Sequence, residues 1–396
     1  MKKYIRCERV NLFEPNDYIA MIVKLSGNLP VSVIQKAVYA AYEANEATMS
    51  RIVLEPDGKA YYDKMETTGC RFISDDSPWE TLLQESERNP FALYDGELVR
   101  IYLTRQTLLI HAHHLVGDGK SILILLGDII SALNGQALSS KPMTILDRAF
   151  LEQRAKLPLP AKLYIASLNR KWRKHAKVFT WDDYHAIHRK YWDENVSEIQ
   201  FESYDLDKFK ENCPENVSIN SFLVAGLLQR HPQCKVIGLP VSIREDDAMS
   251  NQVSGIVVNC KYDPQKSTAD QAVHNHNSIY KTLGSPLWKY FVLLFTERLS
   301  PTLIDAVLLH THGCLENVFA AKMANIMGYI GARSRDLGVT NLGRIEIPSA
   351  HETFVIDDIL FVPPKVSYAK QVIGVSTYGN KLTVSCHNMK KRPVAN

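Results

Sequence analysis

The sequence predicts an α/β (α+β) protein built from two similar-sized halves packed side by side. Three observations carry this. Strand-patterned and helix-patterned segments mix along all 396 residues. The chain changes character between residues 140 and 195, which marks a linker. Beyond it the pattern restarts as strand followed by helix. The expected division is therefore 1–175 and 176–396. A cleft between the halves is where a small-molecule site is expected.

Residues 18–26 are apolar and β-branched and read as a strand. A turn at Gly27-Asn28-Leu29-Pro30 leads into Val31–Asn45, whose Ile34, Ala37, Val38 and Ala41 share one helical face. Residues 50–54 and 60–63 flank Pro56-Asp57-Gly58, a hairpin signal. Residues 77–87 read as a short helix behind an Asp/Ser cap region. Leu98–Thr104 and Thr107–His113 read as two strands joined by Arg105-Gln106. Ser121–Leu133 is apolar almost all round, so that helix is expected to be buried, ending at Asn134-Gly135. Arg154–Lys177 carries eight Lys or Arg and no Asp or Glu. It holds Pro158 and Pro160, then an amphipathic helix with Leu163, Ile165, Leu168 and Trp172 facing protein.

In the second half, Val196–Tyr204 reads as a strand and Ser221–Gln229 as a helix. Lys235–Arg244 and Gly255–Asn259 read as strands, and 266–282 and 302–309 as helices. Thr340-Asn341-Leu342-Gly343 closes a strand. Val372–Tyr378 and Lys381–Cys386, with Gly379-Asn380 between them, form a terminal hairpin.

Composition excludes several classes. The chain is 45% hydrophobic and 22% charged, as a soluble globular protein is. A net charge of +3 gives no reason to expect nucleic acid as a partner. Seven scattered cysteines, with no CxxC, suggest reduced thiols and a cytoplasmic location. The N-terminus has no apolar signal region, and no apolar run is long enough to span a membrane.

The densest chemistry lies at His113-His114-Leu115-Val116-Gly117-Asp118-Gly119, between an apolar strand and an apolar helix. Histidine can exchange a proton near neutral pH, and a strand end holds it rigidly. Asp118 has an ordinary role available as the helix N-cap, or in a buried salt bridge. Gly119 serves a tight turn or a close backbone approach. His113 fixes structure through backbone hydrogen bonds. His114 is the residue left needing a chemical explanation. Gly117-Asp118-Gly119-Lys120-Ser121 is not a P-loop, because His114 stands where the pattern needs glycine. His111/His113, His274/His276 and His310/His312 are His-x-His pairs that could suit zinc on a strand, but no carboxylate or cysteine partner is evident. No Gly-x-Ser-x-Gly elbow is present.

His113-His114-x-x-x-Asp118-Gly119, followed by Ser121 and an apolar helix, resembles the HHxxxDG signature of the chloramphenicol-acetyltransferase-like acyltransferases. That superfamily includes peptide-synthetase condensation domains, polyketide-associated acyltransferases and alcohol acetyltransferases. Asn216–Leu223, Pro240–Arg244 with Asn251 and Gly255, and Thr340–Gly343 resemble further family segments. The likeness is greatest to the stand-alone condensation-like and alcohol-acetyltransferase branch. The Asp-Phe-Gly-Trp-Gly element of the plant branch is missing.

The resemblance implies two acetyltransferase-like subdomains in a V-shaped pseudo-dimer, each a mixed β-sheet flanked by helices. It implies a channel through their interface, with a donor thioester and an acceptor meeting at His114. His114 would take the proton of an acceptor hydroxyl or amine. Asp118 would pair with an arginine, here Arg244. A backbone N–H near Gly119, or the Ser121 hydroxyl, is a candidate oxyanion donor, though Ser121 also fits a plain first-turn role. Asn341 is a candidate acceptor contact, explained equally by a strand-end hydrogen bond. The cosubstrate is acyl-CoA or acyl-pantetheine, with no permanently bound cofactor and no metal. The basic segment either meets coenzyme A phosphates or an acyl or peptidyl carrier protein, or is a solvated helix face. A monomer is expected. The competing readings are a catalytically silent relative that binds a carrier protein or recruits enzymes, and a metal-dependent hydrolase on the His-x-His pairs.

Overall fold

A computed structural model describes residues 2–175 and 177–392. Its two larger sheets are both mixed, which confirms the α/β class. The first has five strands in the order 354–362, 18–27, 107–113, 99–103, 71–74. All its neighbours are antiparallel except 71–74 beside 99–103. The second has six strands in the order 253–259, 236–242, 335–345, 369–378, 381–391, 195–205. Its central pairings are parallel and its outer ones antiparallel. A small three-stranded sheet combines 3–4, 60–64 and 50–54.

Most of the expected elements form close to where their patterns place them. Val31–Ala44 is helical and buries Ile34, Ala37, Val38 and Ala41. Gly119–Leu133 is helical with no exposed residue. Strand Tyr18–Gly27 is buried from Tyr18 to Val23, because both faces of its sheet are covered.

Four details differ from the sequence reading. The helix Trp79–Arg88 starts behind Pro78 with no side-chain cap, since Asp75 caps the backbone of Ser77 instead. In the helix Leu159–Trp172, Ile165, Leu168 and Trp172 face protein, but Leu163 is exposed. Asn341 to Gly343 does not end a strand. It forms a bulge within Arg335–Ile345, with Gly343 at φ +75°. Helices at 181–194, 286–298 and 318–327 also form, which the periodicity did not disclose.

The halves are interlocked. Strand Phe354–Val362 comes from beyond the linker yet pairs with Tyr18–Gly27 as an edge of the five-stranded sheet. Helix Pro301–Thr311 packs its Leu303, Ile304, Val307 and Leu308 into the core shared with the N-terminal half. Its Asp305 forms a buried ion pair with Arg9 at 2.6 Å. The expected boundary falls beside Ala176, which lies outside the described residues.

Candidate active site

The motif is a strand, one tight turn and a helix, and each residue type has a local reason. Strand Thr107–His113 ends where the His113 Nδ1 accepts from the Leu115 N–H at 3.2 Å, closing a single 3₁₀ turn at His114–Val116. Gly117 follows at φ +150°. A Cβ there would lie 2.4 Å from the Ser121 side chain and 3.2 Å from the Ser250 nitrogen, so only glycine fits. Asp118 then caps the helix, its Oδ1 accepting from the Ser121 N–H at 3.0 Å. A Cβ on Gly119 would sit 2.6 Å from Leu342 Cδ2, so this glycine permits a close approach between the halves.

His114 is held from both sides. Its backbone N–H donates to the Asp17 carbonyl at 3.0 Å. Asn251, from the other half, donates its Nδ2 to the His114 carbonyl at 2.7 Å. That commits the Asn251 Oδ1 to the ring, where it lies 2.9 Å from Nδ1. An amide oxygen can only accept, so Nδ1 carries the proton and a neutral ring keeps its lone pair on Nε2. The Asn11 Nδ2 lies 3.3 Å from the same Nδ1, a longer contact that makes no hydrogen bond once Nδ1 is protonated. The half-buried ring lines a cavity of about 290 Å³. Its walls come from both halves, including Asp17 and Gly119 from one and Asn251, Ser254 and Thr340 from the other.

Asp118 and Arg244 join the halves beneath this ring. Arg244 Nη2 donates to Asp118 Oδ1 at 2.8 Å, and both side chains are largely buried. The Gln252 N–H donates to Asp118 Oδ2 at 3.0 Å. The capping role and the ion pair foreseen for Asp118 thus coexist, one carboxylate serving both. Arg244 also donates to the Ser250 carbonyl at 2.9 Å, to the Ser121 hydroxyl at 2.9 Å, and to the Ala248 carbonyl.

The Ser121 hydroxyl is the expectation that the geometry corrects. It is fully buried, donating to the Ser250 carbonyl at 2.8 Å and accepting from the Ser250 N–H at 3.1 Å. It does not line the cavity and cannot reach an oxyanion there. Asn341 does line the cavity, but its Oδ1 accepts from the Gly343 N–H at 2.7 Å and so holds the bulge. His113 is fully buried against Tyr18 and Phe91. Burial first, then the nearby His114, His188 and Arg100, push its pKa down to about 3, so it stays neutral.

Sequence reasoning missed one wall of the cavity. Glu8, Glu14 and Asp17, from the loops before the first long strand, line it together with Tyr329 and Tyr368. Burial raises both Glu8 and Asp17 to about 7. The signal was present in register form. Tyr18 pairs with His113, so Asp17 and His114 are neighbours at one sheet end, but that pairing spans 95 residues and is not local. Among the described residues, no group of three or more His, Cys, Asp or Glu side chains is placed to hold a metal ion. No described helix is long and apolar enough to cross a membrane.

No protein-family model matches the chain. A polyketide synthase-nonribosomal peptide synthetase of Aspergillus clavatus is 30% identical over 153 residues, covering 36% of this chain. The hybrid PKS-NRPS synthetase thnA of Trichoderma harzianum is 24% identical over 148 residues, 35% of this chain. In each case the match takes in 4% of that much longer protein. Among solved structures, polyketide synthase associated protein 5 from Mycobacterium tuberculosis is similar at a TM-score of 0.63 and 14% identity, over 98% of this chain and 92% of that one. The starter condensation domain of rhizomide synthetase, solved with C8-CoA, is similar at 0.62 and 11% identity, over 98% and 89%. The trichothecene 15-O-acetyltransferase TRI3 of Fusarium sporotrichioides is similar at 0.61 and 11%, over 97% and 89%. Strands shared across a seam and these likenesses over nearly the whole chain show that the chain has the fold shared by these condensation domains and this acetyltransferase.

Proposed function

We propose that the protein is an acyltransferase moving an acyl group from a thioester to a hydroxyl or amine, with His114 as general base. One observation carries this reading. The Nδ1 of His114 is tied to Asn251, which leaves Nε2 as the basic nitrogen of a ring that lines a cavity between the halves. Nε2 takes the acceptor's proton as the acceptor attacks the thioester carbonyl, then returns it to the departing thiolate. Base catalysis of this kind contributes roughly 10²- to 10⁴-fold. Holding both substrates in one cavity adds a proximity effect. Gly119, at the positive end of a 15-residue helix and on the cavity wall, is our candidate oxyanion donor through its backbone N–H. Asp118 and Arg244 hold the turn and move no proton.

Acyl-CoA or acyl-pantetheine is the proposed cosubstrate. The C8-CoA complex of a similar fold supports the first, and the matched stretch of two synthetases supports a carrier-borne donor. Exposed Arg170, Lys171 and Lys174 are the proposed contact for donor phosphates or for an acidic carrier. We place the two subdomains at 1–175 and 176–396, with strand 354–362 crossing over, in a cytoplasmic monomer.

The test is free-thiol release from a panel of acyl thioesters by wild type and His114→Ala. A loss of about 10²-fold or more is expected. Equal release by both proteins removes His114 from the chemistry and favours a silent carrier-binding relative.

A further inference from the structure

We propose that the outward face of the helix Leu159–Trp172 docks the protein on an anionic lipid membrane. The inner face of this helix is fixed. Ile165, Leu168 and Trp172 are buried. Asn169 donates its Nδ2 to the Arg298 carbonyl at 2.8 Å and accepts from the Ser300 N–H at 2.9 Å. The Trp172 indole N–H donates to the Thr302 hydroxyl at 2.9 Å. These contacts decide which stripe looks outward. It runs through Leu159, Leu163, Ala166 and Arg170, spaced i, i+4, i+7 and i+11, and all four are exposed. Outward positions of a surface helix are ordinarily polar. Here the first two are leucines, 67% and 62% exposed, with Tyr164 beside them at 46%.

The charge around this stripe says what covers it. Arg154–Lys177 contains no Asp or Glu. Arg154 is engaged by Glu245, and Lys177 lies 3.9 Å from Asp183. Among the described residues, Lys156, Lys162, Arg170, Lys171, Arg173 and Lys174 form no ion pair. Glu152 and Glu297, beside the Arg298 on which the helix rests, are themselves paired with arginines. Asp182, past the end of the segment, stays exposed. So does Glu316, three residues ahead of the Phe319 that stacks on Trp172. These acids do not balance six cations, and the face carries a clear excess of positive charge.

Cations alone would suit any acidic partner, including the donor phosphates or carrier considered above. The leucines separate the cases. A phosphate offers nothing to two protruding apolar side chains, and a protein partner would need a groove shaped to this helix ridge. A bilayer surface needs no such groove and takes both features at once. Leucine side chains enter the boundary between headgroups and acyl chains, while lysine and arginine meet anionic headgroups. The long stems of those basic side chains lie along apolar surface with their charges at the tip, which suits the same boundary. No described helix is long and apolar enough to cross a membrane, so the attachment is to one surface and reversible. This inference stands apart from the acyltransferase reading and uses none of the cavity residues.

The test is flotation of the full-length protein with lipid vesicles. Vesicles of phosphatidylcholine alone are compared with vesicles containing about 30% phosphatidylglycerol, at about 50 mM and about 500 mM salt. Partition is expected to be at least about tenfold higher onto the anionic vesicles at low salt, and to fall at high salt. Two variants divide the contributions. Leu159→Ser with Leu163→Ser keeps every charge, and Arg170→Glu with Lys171→Glu and Lys174→Glu keeps both leucines. Each is expected to lose about tenfold or more in anionic partition. All five side chains are exposed, so thermal melts matching wild type are expected and confirm that both variants fold. Equal partition onto the two vesicle types overturns the proposal. So does anionic binding that survives loss of the leucine pair, since charge alone then explains it. A parallel arm contains saturating coenzyme A. Retention of the bound protein supports a membrane face, whereas displacement assigns the cations to donor phosphates and overturns it. Thiol release without vesicles is scored separately, so that a failure of membrane docking and a failure of acyl transfer are told apart.

Discussion

Removing Arg244 should cost the protein about as much stability as a small domain can spare. Its partner Asp118 is 2% exposed and sits where the motif helix meets the second half. Stripping one member from a buried ion pair costs about 3–5 kcal/mol, because the other charge stays desolvated. The structure sets the value within that range. Without Arg244, Asp118 keeps the Ser121 N–H at 3.0 Å and the Gln252 N–H at 3.0 Å. Two remaining backbone donors argue for the lower end, about 3 kcal/mol for Arg244→Met. Asp118→Asn should cost a similar amount for a different reason. It strands the guanidinium and can place an amide N–H against the Gln252 N–H. The double variant should lose less than the sum of the two, with a coupling of about 2 kcal/mol or more. Urea unfolding of the four proteins, with slopes compared, measures this. Single losses under about 1 kcal/mol, or strict additivity, would refute the view that this pair clamps the halves.

Two further outcomes are expected. Gly117→Ala should be worse than Gly119→Ala. The first forces φ +150° on alanine and drives its Cβ within 3.2 Å of the Ser250 backbone, whereas the second clashes with the end of the Leu342 side chain and otherwise makes ordinary contact with Phe361. A thermal melt of both should give Gly119→Ala a loss of about 1–3 kcal/mol and Gly117→Ala a larger one, and the reverse order contradicts the assignment. Glu87→Gln should change the pH dependence of stability. Burial lifts this carboxyl to about 8, opposed by its bond from Ser197 at 2.8 Å. Between about pH 4.5 and 8 the folded chain therefore holds a proton that the unfolded chain has released, so this group's contribution to stability falls as pH rises. The variant should gain on wild type across that window, by at most about 1.4 kcal/mol per pH unit, and parallel stability curves would exclude it.

Local periodicity made much of this fold legible. Val31–Ala44 buries the face its apolar spacing picks out, and Gly119–Leu133, apolar almost all round, has no fully exposed residue. The strand, turn and helix of the motif follow from residue types that tolerate few alternatives. What stayed hidden was non-local or lacked a period. Phe354–Val362 reads as an apolar run, but nothing in it names Tyr18–Gly27 as its partner. Pro286–Arg298 is apolar on most sides and gives no amphipathic signal to separate it from its neighbours. Leu163 was assigned to the protein face by spacing, yet Ile165 and Leu168 set the buried stripe and Leu163 lies off it. Ser121 could be read as a cleft hydroxyl only while Ser250 was not known to lie against it. The acidic wall was invisible because Glu14 and Asp17 sit in loops, where charge is ordinary until the fold buries it.

These pieces place the candidate base where neither half suffices. The N-terminal half supplies the ring, the turn that aims it and the Asp17 carbonyl that anchors its backbone. It does not supply the contact that fixes the ring's tautomer, which comes from Asn251, nor the cation that offsets Asp118, which comes from Arg244. Asn251 follows Ser250, whose backbone clamps Ser121, and precedes Gln252, whose N–H clamps Asp118. Three consecutive residues of the second half thus grip the helix start and the histidine together, so the ring cannot be aimed unless the seam is closed. The exchanged strand at 354–362 keeps that seam from opening freely, since parting the halves would also strip an edge from the first sheet. A ring oriented by an interface makes the aim of the candidate base a property of the docked pair and of neither half alone.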